Sequence, residues 1–279
     1  MGLIYTSLLL RPGELFLKGK NYSFFLLALA RNIQALTQQK PFCRIRGRLL
    51  LPYFPAHSLL RRVFGLVSYS PALRVEKNEP EIKAAALKLV QGRPGTFRIA
   101  TQRSDKLFPL TSLALNRRLG IFLEEQTSLR YVPQAQLILH VEINQEGAYL
   151  FTEVIPCLGG LPVGVEGNVL LLLENEASIL AGILMMKRGC SLVPVSLAGG
   201  QDISLLQMFS PLPLECALAS SLAAIATLPK EKNALALVKG DSFDNFSAIL
   251  SPLPVLRPLI GYDQKMIRKM LEGYAHTSI

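Results

Sequence analysis

One unbroken apolar run decides the fold: Val169-Leu170-Leu171-Leu172-Leu173. A strand that is apolar at every position is typical of a parallel sheet that is covered on both faces. Glu174-Asn175-Glu176-Ala177-Ser178 follows it, and a helix is predicted from Ser178 to Arg188. Further along the chain the pattern predicts strands at Leu192–Ser196 and Ala234–Lys239 and helices at Ala217–Thr227 and Ile267–Leu271. Alternating β and α elements predict a doubly wound, Rossmann-like sheet.

Two smaller units are predicted upstream of that sheet. In the first, the order strand–helix–strand–helix–strand, with a helix over Tyr22–Thr37, indicates a ferredoxin-like α+β unit. The second contains predicted helices at Glu79–Val90 and Leu110–Gln126 and predicted strands at Thr96–Ala100, Leu137–Ile143 and Gly147–Ile155. We therefore expect three domains, at residues 1–75, 76–165 and 166–279.

The charge of the chain is unevenly distributed. Thirty Lys and Arg residues face 20 Asp and Glu residues, which gives a net charge of +10 over 279 residues. Residues 1–165 contain 21 basic and 10 acidic side chains, whereas residues 166–279 contain 9 and 10. Half of the residues are hydrophobic, which excludes an intrinsically disordered chain. This distribution predicts a basic front part that meets a polyanion and a neutral rear part with a different task.

The cysteines and histidines point to no metal or disulfide framework. The four cysteines include no Cys-x-x-Cys pair, and the three histidines are scattered. Glu174 and Glu176 interrupt the most apolar stretch, so we predict no membrane span there. No secretory signal is recognisable, and we expect a reduced, cytoplasmic protein without metal.

No catalytic residue can be assigned from the sequence. Cys216 precedes the predicted helix at Ala217–Thr227, and a helix N-terminus would lower the pKa of its thiol. The competing interpretation is that Cys216 is a small buried hydrophobic residue. The three histidines give no recognisable Ser–His–Asp arrangement.

Basic side chains are the stronger functional signal, because Lys and Arg contacts to phosphates dominate the affinity of proteins for nucleic acids. The candidate RNA-binding residues are Lys18, Lys20, Arg98, Arg103, Lys106, Arg117 and Arg118. Phe108 could stack on an unpaired base. The competing interpretation is a solvated basic surface with Phe108 in the core.

Several motifs occur in the same order as in a known family. They are Gly13-Glu14-Leu15-Phe16-Leu17-Lys18-Gly19-Lys20-Asn21, Arg103-Ser104-Asp105-Lys106-Leu107-Phe108-Pro109, Gly159-Gly160-Leu161-Pro162-Val163-Gly164 and the segment Pro254–Asp263. Together they resemble the tRNA 4-thiouridine synthetase family, ThiI. The resemblance implies a ferredoxin-like domain, a THUMP domain that binds the acceptor end of tRNA, and a PP-loop domain of the adenine nucleotide alpha hydrolase-like type. Family members adenylate a tRNA uridine with ATP, replace its oxygen by sulfur, and commonly form homodimers.

The chain departs from the family pattern at the nucleotide-binding loop. The family's loop is Ser-Gly-Gly-x-Asp-Ser, whereas Glu174–Ala177 before Ser178 contains neither glycine nor aspartate. A basic pair expected further on falls on Ser220 and Ser221, and an expected glutamine falls near Ile249. Carboxylates in such a loop repel phosphates. We therefore expect vestigial nucleotide contacts at most, at Leu172, Leu173, Ser178 and Gly240.

Three hypotheses follow from this combination. The first is a tRNA-binding protein with lost or impaired adenylation and thiolation, without a cofactor, acting as a homodimer or as a heterodimer with an active relative. The second is an active tRNA sulfurtransferase with an atypical ATP and Mg²⁺ site and an external sulfur carrier. The third is a scaffold whose altered pocket binds another metabolite.

Overall fold

The computed structural model describes residues 5–13, 19–45, 47–199, 201–225 and 233–277. The chain folds into two compact units, each built from more than one segment. Unit 1 comprises Met1–Arg11, Pro41–Pro55 and Ser68–Pro156, and unit 2 comprises Pro12–Lys40, Ala56–Val67 and Cys157–Ile279. We describe each unit by itself.

The secondary-structure elements are numbered along the chain. In order they are β1 (Ser7–Pro12), α1 (Tyr22–Thr37), β2 (Cys43–Ile45), β3 (Arg48–Pro52), a 3-10 helix (His57–Arg62), β4 (Leu66–Val75), α2 (Glu79–Val90), β5 (Thr96–Arg103), α3 (Ser112–Gln126), β6 (Arg130–Tyr131), β7 (Leu137–Asn144), β8 (Gly147–Phe151), β9 (Ile155–Pro156), β10 (Asn168–Leu172), α4 (Glu176–Lys187), β11 (Ser191–Ser196), α5 (Ser204–Gln207), β12 (Ala217–Leu218), α6 (Leu222–Ile225), β13 (Ala234–Val238), β14 (Val255–Leu256) and α7 (Gln264–His276).

Unit 1 is built on one mixed sheet. Its described strands run in the order β2-β3-β1-β4-β8-β7-β5-β6, and β9 pairs with β4. Helices α2 and α3 begin at side-chain caps, where Asn78 accepts from the amide of Glu81 and Thr111 from that of Ala114. Both helices pack their apolar faces on one side of the sheet, where the core forms.

The two faces of the β5–β7 region differ because side chains alternate along a strand. Phe97 and Ile99 of β5 and Leu139 of β7 point to the helices and are buried. Arg98 and His140 therefore lie on the opposite face, which α2 and α3 leave uncovered.

Unit 2 contains the predicted parallel sheet. Its described strands run in the order β12-β11-β10-β13-β14, and each neighbouring pair is parallel. The apolar run Val169–Leu172 forms the central strand β10 and is buried, as expected for a strand covered on both faces. The chain leaves β10 for β11 on one side and later enters β13 on the other. The order of strands thus reverses between β10 and β13, where doubly wound folds bind ligands.

The most apolar segment forms β10 and α4, as predicted. Asn175 caps α4 through a capping box with Ser178. The helix buries Leu180, Ile183 and Met186 in the core of unit 2, which explains its apolar sequence. No helix in the part of the chain that the structure describes is long and apolar enough to cross a membrane.

Segments from the first quarter of the chain belong to the core of unit 2. The ring of Phe64 lies 5.6 Å from that of Phe209, and both side chains are fully buried. Asn32 of α1 donates a hydrogen bond from Nδ2 to the carbonyl oxygen of Val163 at 3.0 Å. This bond satisfies a buried amide group.

Two predicted elements were wrong in part. The helix predicted over Ala217–Thr227 is absent at its start, where Ala217 and Leu218 pair with Val195 and Ser196 of β11. Backbone pairing with the edge of β11 outweighs the high helix propensity of alanine and leucine there. The strand predicted over Gly147–Ile155 is divided into β8 and β9, which pair with different parts of β4. Helices α1 and α2 have the predicted bounds.

Candidate functional site

The carboxyl ends of β10 and β13 meet at the switch point of the parallel sheet in unit 2. Leu171 of β10 pairs with Val238 of β13, so the residues that follow each strand lie side by side. Glu174 follows the first strand, and Lys239 and Gly240 follow the second. This place is where the sequence predicted the vestigial nucleotide contacts.

A charge network fills the space between the two strand ends. Lys239 is only 3% exposed, and its Nζ lies 2.6 Å from Ser247 Oγ and 3.3 Å from Glu174 Oε2. The same ammonium lies 3.5 Å from Asp241 Oδ1, and Arg257 Nε lies 3.0 Å from Asp241 Oδ2. Two cations are thus matched by two carboxylates, as buried charges require.

Arg257 is also bonded outside the network. Its guanidinium donates to the carbonyl oxygen of Ser247 at 2.8 Å and lies 4.6 Å from the ring centre of Phe246. These contacts fix the loop between β13 and β14 to the strand ends. The sequence reasoning missed Lys239 and Arg257; the one available signal was that Lys239 lies at the end of a predicted parallel strand.

Several backbone amides around the strand ends donate within the chain. The amide of Leu173 donates to Val195 O at 2.8 Å, and that of Glu174 donates to Ser178 Oγ at 3.1 Å. Ser178 in turn donates its own amide to Asn175 Oδ1 at 3.3 Å. A phosphate-binding loop needs such amides to point at the anion instead.

Gly240 lies directly against the first turn of α4. A Cβ atom at this position would come within 2.6 Å of the backbone nitrogen of Ser178 and 2.7 Å of the backbone carbon of Ala177. Real Cβ atoms do not approach so closely, so the contact requires glycine. The structure therefore brings Ser178 and Gly240 together, while the side chains of Leu172 and Leu173 are buried in the core.

The thiols in unit 2 are not activated. Burial raises the pKa of Cys216 above its usual value, and the helix predicted to lower that pKa does not begin there. Burial also raises the pKa of Cys157 to about 12 and that of Cys190 above its usual value. Thiols in such surroundings stay protonated and are poor nucleophiles.

The predicted RNA-binding residues of unit 1 are divided between two sides of its sheet. Arg98 lies on the uncovered face beside His140, whose pKa is lowered by burial and by the charges of Arg11 and Arg98. Arg117 and Arg118 lie on α3, which covers the other face, and both are exposed. These residues consequently do not form one continuous surface.

The remaining candidates differ in whether their side chains are already bonded to other described residues. Arg103 donates to the carbonyl oxygens of Phe108 and Leu110 at 2.7 and 2.9 Å, and therefore holds the loop before α3. Arg118 forms an ion pair with Glu79 at 2.7 Å, whereas Lys106 and Arg117 are exposed and form no ion pair with any residue that the structure describes.

The last three candidates are Phe108, Lys20 and Lys18. Phe108 is only 5% exposed and belongs to the core, so the competing interpretation of this residue is confirmed and stacking on a base is not supported. Lys20 is exposed and belongs to unit 2, and Lys18 lies outside the described residues.

The uncovered sheet face carries an ion-pair group that the sequence did not reveal. The carboxylate of Glu142 on β7 lies 3.1 Å from the guanidinium of Arg11 on β1 and 3.0 Å from that of Arg48 on β3. Arg11 also lies 4.9 Å from the ring centre of Phe151. Glu142 thus joins three strands that are distant in the chain and keeps two arginines at this face.

Comparison with known proteins identifies the family. The model of the ThiI ferredoxin-like domain matches residues 7–70, and that of the THUMP domain matches residues 76–153. A protein of Moorella thermoacetica described as a probable tRNA sulfurtransferase is 40% identical over 200 residues, which cover 68% of this chain and 51% of that protein. The chain spans about half the length of the curated relatives that it matches.

Two solved structures resemble nearly the whole chain. A protein from Pyrococcus horikoshii Ot3 is 27% identical with a TM-score of 0.85, over 97% of this chain and 99% of that one. A 4-thiouridine synthetase, solved as an RNA complex with bound ATP, is 25% identical with a TM-score of 0.83, over 99% of this chain and 87% of that one. With its ferredoxin-like and THUMP domains and its parallel C-terminal sheet, the chain belongs to the ThiI family.

Proposed function

We propose that this chain is a tRNA-binding member of the ThiI family in which ATP-dependent adenylation and thiolation are lost or impaired. The observation that carries the second part is the contact of Lys239 with Glu174 at the switch point. The proposal keeps the predicted domains at 1–75, 76–165 and 166–279, a cytoplasmic location, and assembly as a homodimer or with an active relative.

The tRNA part is supported by the family and by charge. The match to the THUMP domain covers residues 76–153, and the related 4-thiouridine synthetase was solved with RNA. Residues 1–165 carry the whole positive excess of the chain. Lys106 and Arg117 have exposed side chains that can reach phosphates without breaking an ion pair to the described part of unit 1.

The loss of ATP chemistry is supported by the electrostatics of the strand ends. Transfer chemistry on ATP needs cations and donors that offset the phosphate charge. Here Lys239 and Arg257 are already neutralised by Glu174 and Asp241. Glu176, at the start of α4, adds a further negative charge to the side from which a phosphate would approach.

The backbone supports the same conclusion. The amides of Glu174 and Ser178 are used by side chains at the start of α4, and that of Ser242 donates to Asn245 Oδ1 at 2.6 Å. Gly240 and Ser178 leave no space for an atom between them. The residues present therefore do not fit a nucleotide phosphate in the manner of a glycine-rich loop.

Calorimetric titration with ATP and Mg²⁺ tests the loss of nucleotide binding. We expect no binding with a micromolar Kd, while the related 4-thiouridine synthetase serves as the positive control. Micromolar binding that disappears in Lys239→Met would place ATP at the switch point and overturn the proposal. Formation of 4-thiouridine in tRNA with a sulfur donor, measured by nucleoside mass spectrometry, would establish the active alternative.

Gel shifts with unmodified tRNA test the binding part. We expect the protein to bind tRNA, and Lys106→Ala combined with Arg117→Ala to weaken binding about equally for different tRNA sequences, since phosphate contacts carry no sequence information. A matched variant, Lys40→Ala with Lys88→Ala, removes the same charge from two other exposed positions. Affinity that does not fall as the salt concentration rises would contradict the phosphate contacts.

A further inference from the structure

The last helix of unit 2 carries a concentrated positive charge within a neutral part of the chain. Residues 166–279 contain nine basic side chains, and three of them, Lys265, Arg268 and Lys269, lie in the first half of α7. All three are exposed, and none of their side chains forms an ion pair or hydrogen bond with a residue that the structure describes. Residues 166–279 as a whole are therefore nearly neutral, but the first half of α7 is locally basic.

The three cations share one face of α7. At about 100° per residue, positions 265, 268 and 269 fall within one-third of the helix circumference. Glu272, seven positions after Lys265, lies on the same face, so three cations and one carboxylate leave it a net charge of +2. The opposite face contains Ile267 and Tyr274, which are 2% and 7% exposed. Tyr274 packs edge-on against Phe209 with ring centres 5.6 Å apart, and this contact fixes which face points outward.

Part of this arrangement opposes the stability of the helix, although Glu272, four positions after Arg268, offsets some of the repulsion. Like charges three and four positions apart repel each other, and cations near the first turn oppose the helix dipole. Helices α2 and α4 show the favourable arrangement, with acidic residues in the first turn and a lysine in the last. In α7 the first turn contains Lys265 and no acidic residue, and the carboxylate at the helix start belongs to the N-cap Asp263. Local conflicts of this kind are expected where function requires them.

We propose that Lys265, Arg268 and Lys269 form a second contact surface for the phosphate backbone of tRNA. Side chains three and four positions apart on a helix are separated by about 5–6 Å at Cβ, a spacing suited to neighbouring phosphates of a nucleic-acid strand. A bound polyanion removes the mutual repulsion of the cations. Contacts to phosphates carry no sequence information, so the three side chains contribute affinity and not sequence preference. This inference rests on the tRNA binding proposed above.

The test compares tRNA binding by the full chain at several salt concentrations. We expect the triple variant Lys265→Gln, Arg268→Gln and Lys269→Gln to bind more weakly, with the slope of log affinity against log salt reduced by about two to three. A matched variant, Lys40→Gln with Lys88→Gln and Arg188→Gln, removes the same charge from three scattered exposed positions and should change the slope less. Glu272→Gln, which removes a negative charge from the same helix, should tighten binding.

The outcomes separate the two proposals. Wild-type protein that binds tRNA with a slope equal to that of the triple variant overturns the α7 surface and leaves the tRNA-binding function intact. Wild-type protein that does not bind tRNA overturns the function itself, and the α7 surface with it. Because glutamine has about the same helix propensity as lysine and arginine and the substitutions relieve repulsion, the melting temperature of the triple variant should be equal or higher. A lower melting temperature with weaker binding would indicate a structural role instead and overturn the surface.

Discussion

The ammonium of Lys239 lies 3.3 Å from the carboxylate of Glu174, and this contact joins the ends of the two strands between which the sheet order reverses. A nucleotide-binding crevice at that place presents its cations to the ligand. In this chain the lysine is 3% exposed and is neutralised by the protein's own carboxylates. At the switch point of this chain the cations are paired with the chain's own carboxylates.

Asp241 should contribute more to stability than Glu174. The Asp241 side chain is 6% exposed and contacts both Lys239 and Arg257, whereas that of Glu174 is 41% exposed. Asp241→Ala leaves a buried ammonium without its most buried partner, which costs about 3–5 kcal/mol. Glu174→Ala removes a partly solvated pair and should cost below about 1 kcal/mol. Urea unfolding of both variants measures the difference, and equal losses would contradict the network.

Gly240 should tolerate no side chain. Gly240→Ala places a Cβ 2.6 Å from the backbone nitrogen of Ser178, and backbone atoms there cannot move aside without shifting α4. We expect a loss of roughly 1–3 kcal/mol or more in the free energy of unfolding. The matched change Gly273→Ala lies in α7 with nothing within 4 Å of the new Cβ, and should stabilise by up to about 1 kcal/mol. A neutral Gly240→Ala would disprove the close approach.

The sequence predicted the elements better than the contacts between them. The apolar run at Val169–Leu173 identified the central strand because burial on both faces leaves no polar position. An aspartate directly before a helical stretch is a typical cap, and the carboxylate of Asp263 accepts from the amide of Met266 at 2.7 Å. Local propensity predicts a helix at Ala217 and Leu218. The structure has a strand there, because both residues pair with β11, which lies elsewhere in the chain.

The site was less predictable for the same reason. Glu174 was recognised from its position in the loop, but its partner Lys239 is distant in sequence and meets it only because β10 and β13 are neighbours. The seven basic candidates share a charge but not a surface. Arg98 and Arg117 lie on opposite sides of the unit 1 sheet. The alternation of side chains along β5 places Arg98 on one side, and the packing of α3 places Arg117 on the other.

Arg103 and Arg117 should respond differently to truncation. Arg103→Ala leaves the carbonyl oxygens of Phe108 and Leu110 without their donor, so we expect a loss of roughly 1.5–3 kcal/mol in stability together with weaker tRNA binding. Arg117→Ala removes an exposed side chain and should weaken tRNA binding, lower the salt slope by about one, and leave the melting temperature unchanged. Thermal melts and salt-dependent binding of the two variants separate these effects.

The Cys157 thiol should destabilise the fold at alkaline pH. Burial raises its pKa from 9.0 to about 12, so below pH 9 both the folded and the unfolded chain keep the proton. Between pH 9 and 12 only the unfolded chain releases it, and stability falls by up to about 1.4 kcal/mol per pH unit. Urea midpoints at pH 8 to 10.5 under reducing conditions should fall less steeply for Cys157→Ala than for wild type. Parallel curves would mean that the thiol is solvated.

The charge of Arg98 should be detectable at His140. Burial, followed by the charges of Arg11 and Arg98, lowers the pKa of His140, so Arg98→Gln should raise that pKa. Arg117→Gln is the matched control, because Arg117 lies on the helix that covers the other face and should leave the pKa unchanged. NMR titration of the histidine ring protons, assigned with His140→Gln, measures both variants.

The lowered pKa of His140 also makes stability depend on pH. The unfolded chain binds a proton at His140 near pH 6.5 and the folded chain only at lower pH, so acidification through that range favours unfolding. Arg98→Gln should reduce this acid sensitivity, and an unchanged His140 pKa in that variant would place Arg98 away from the uncovered face.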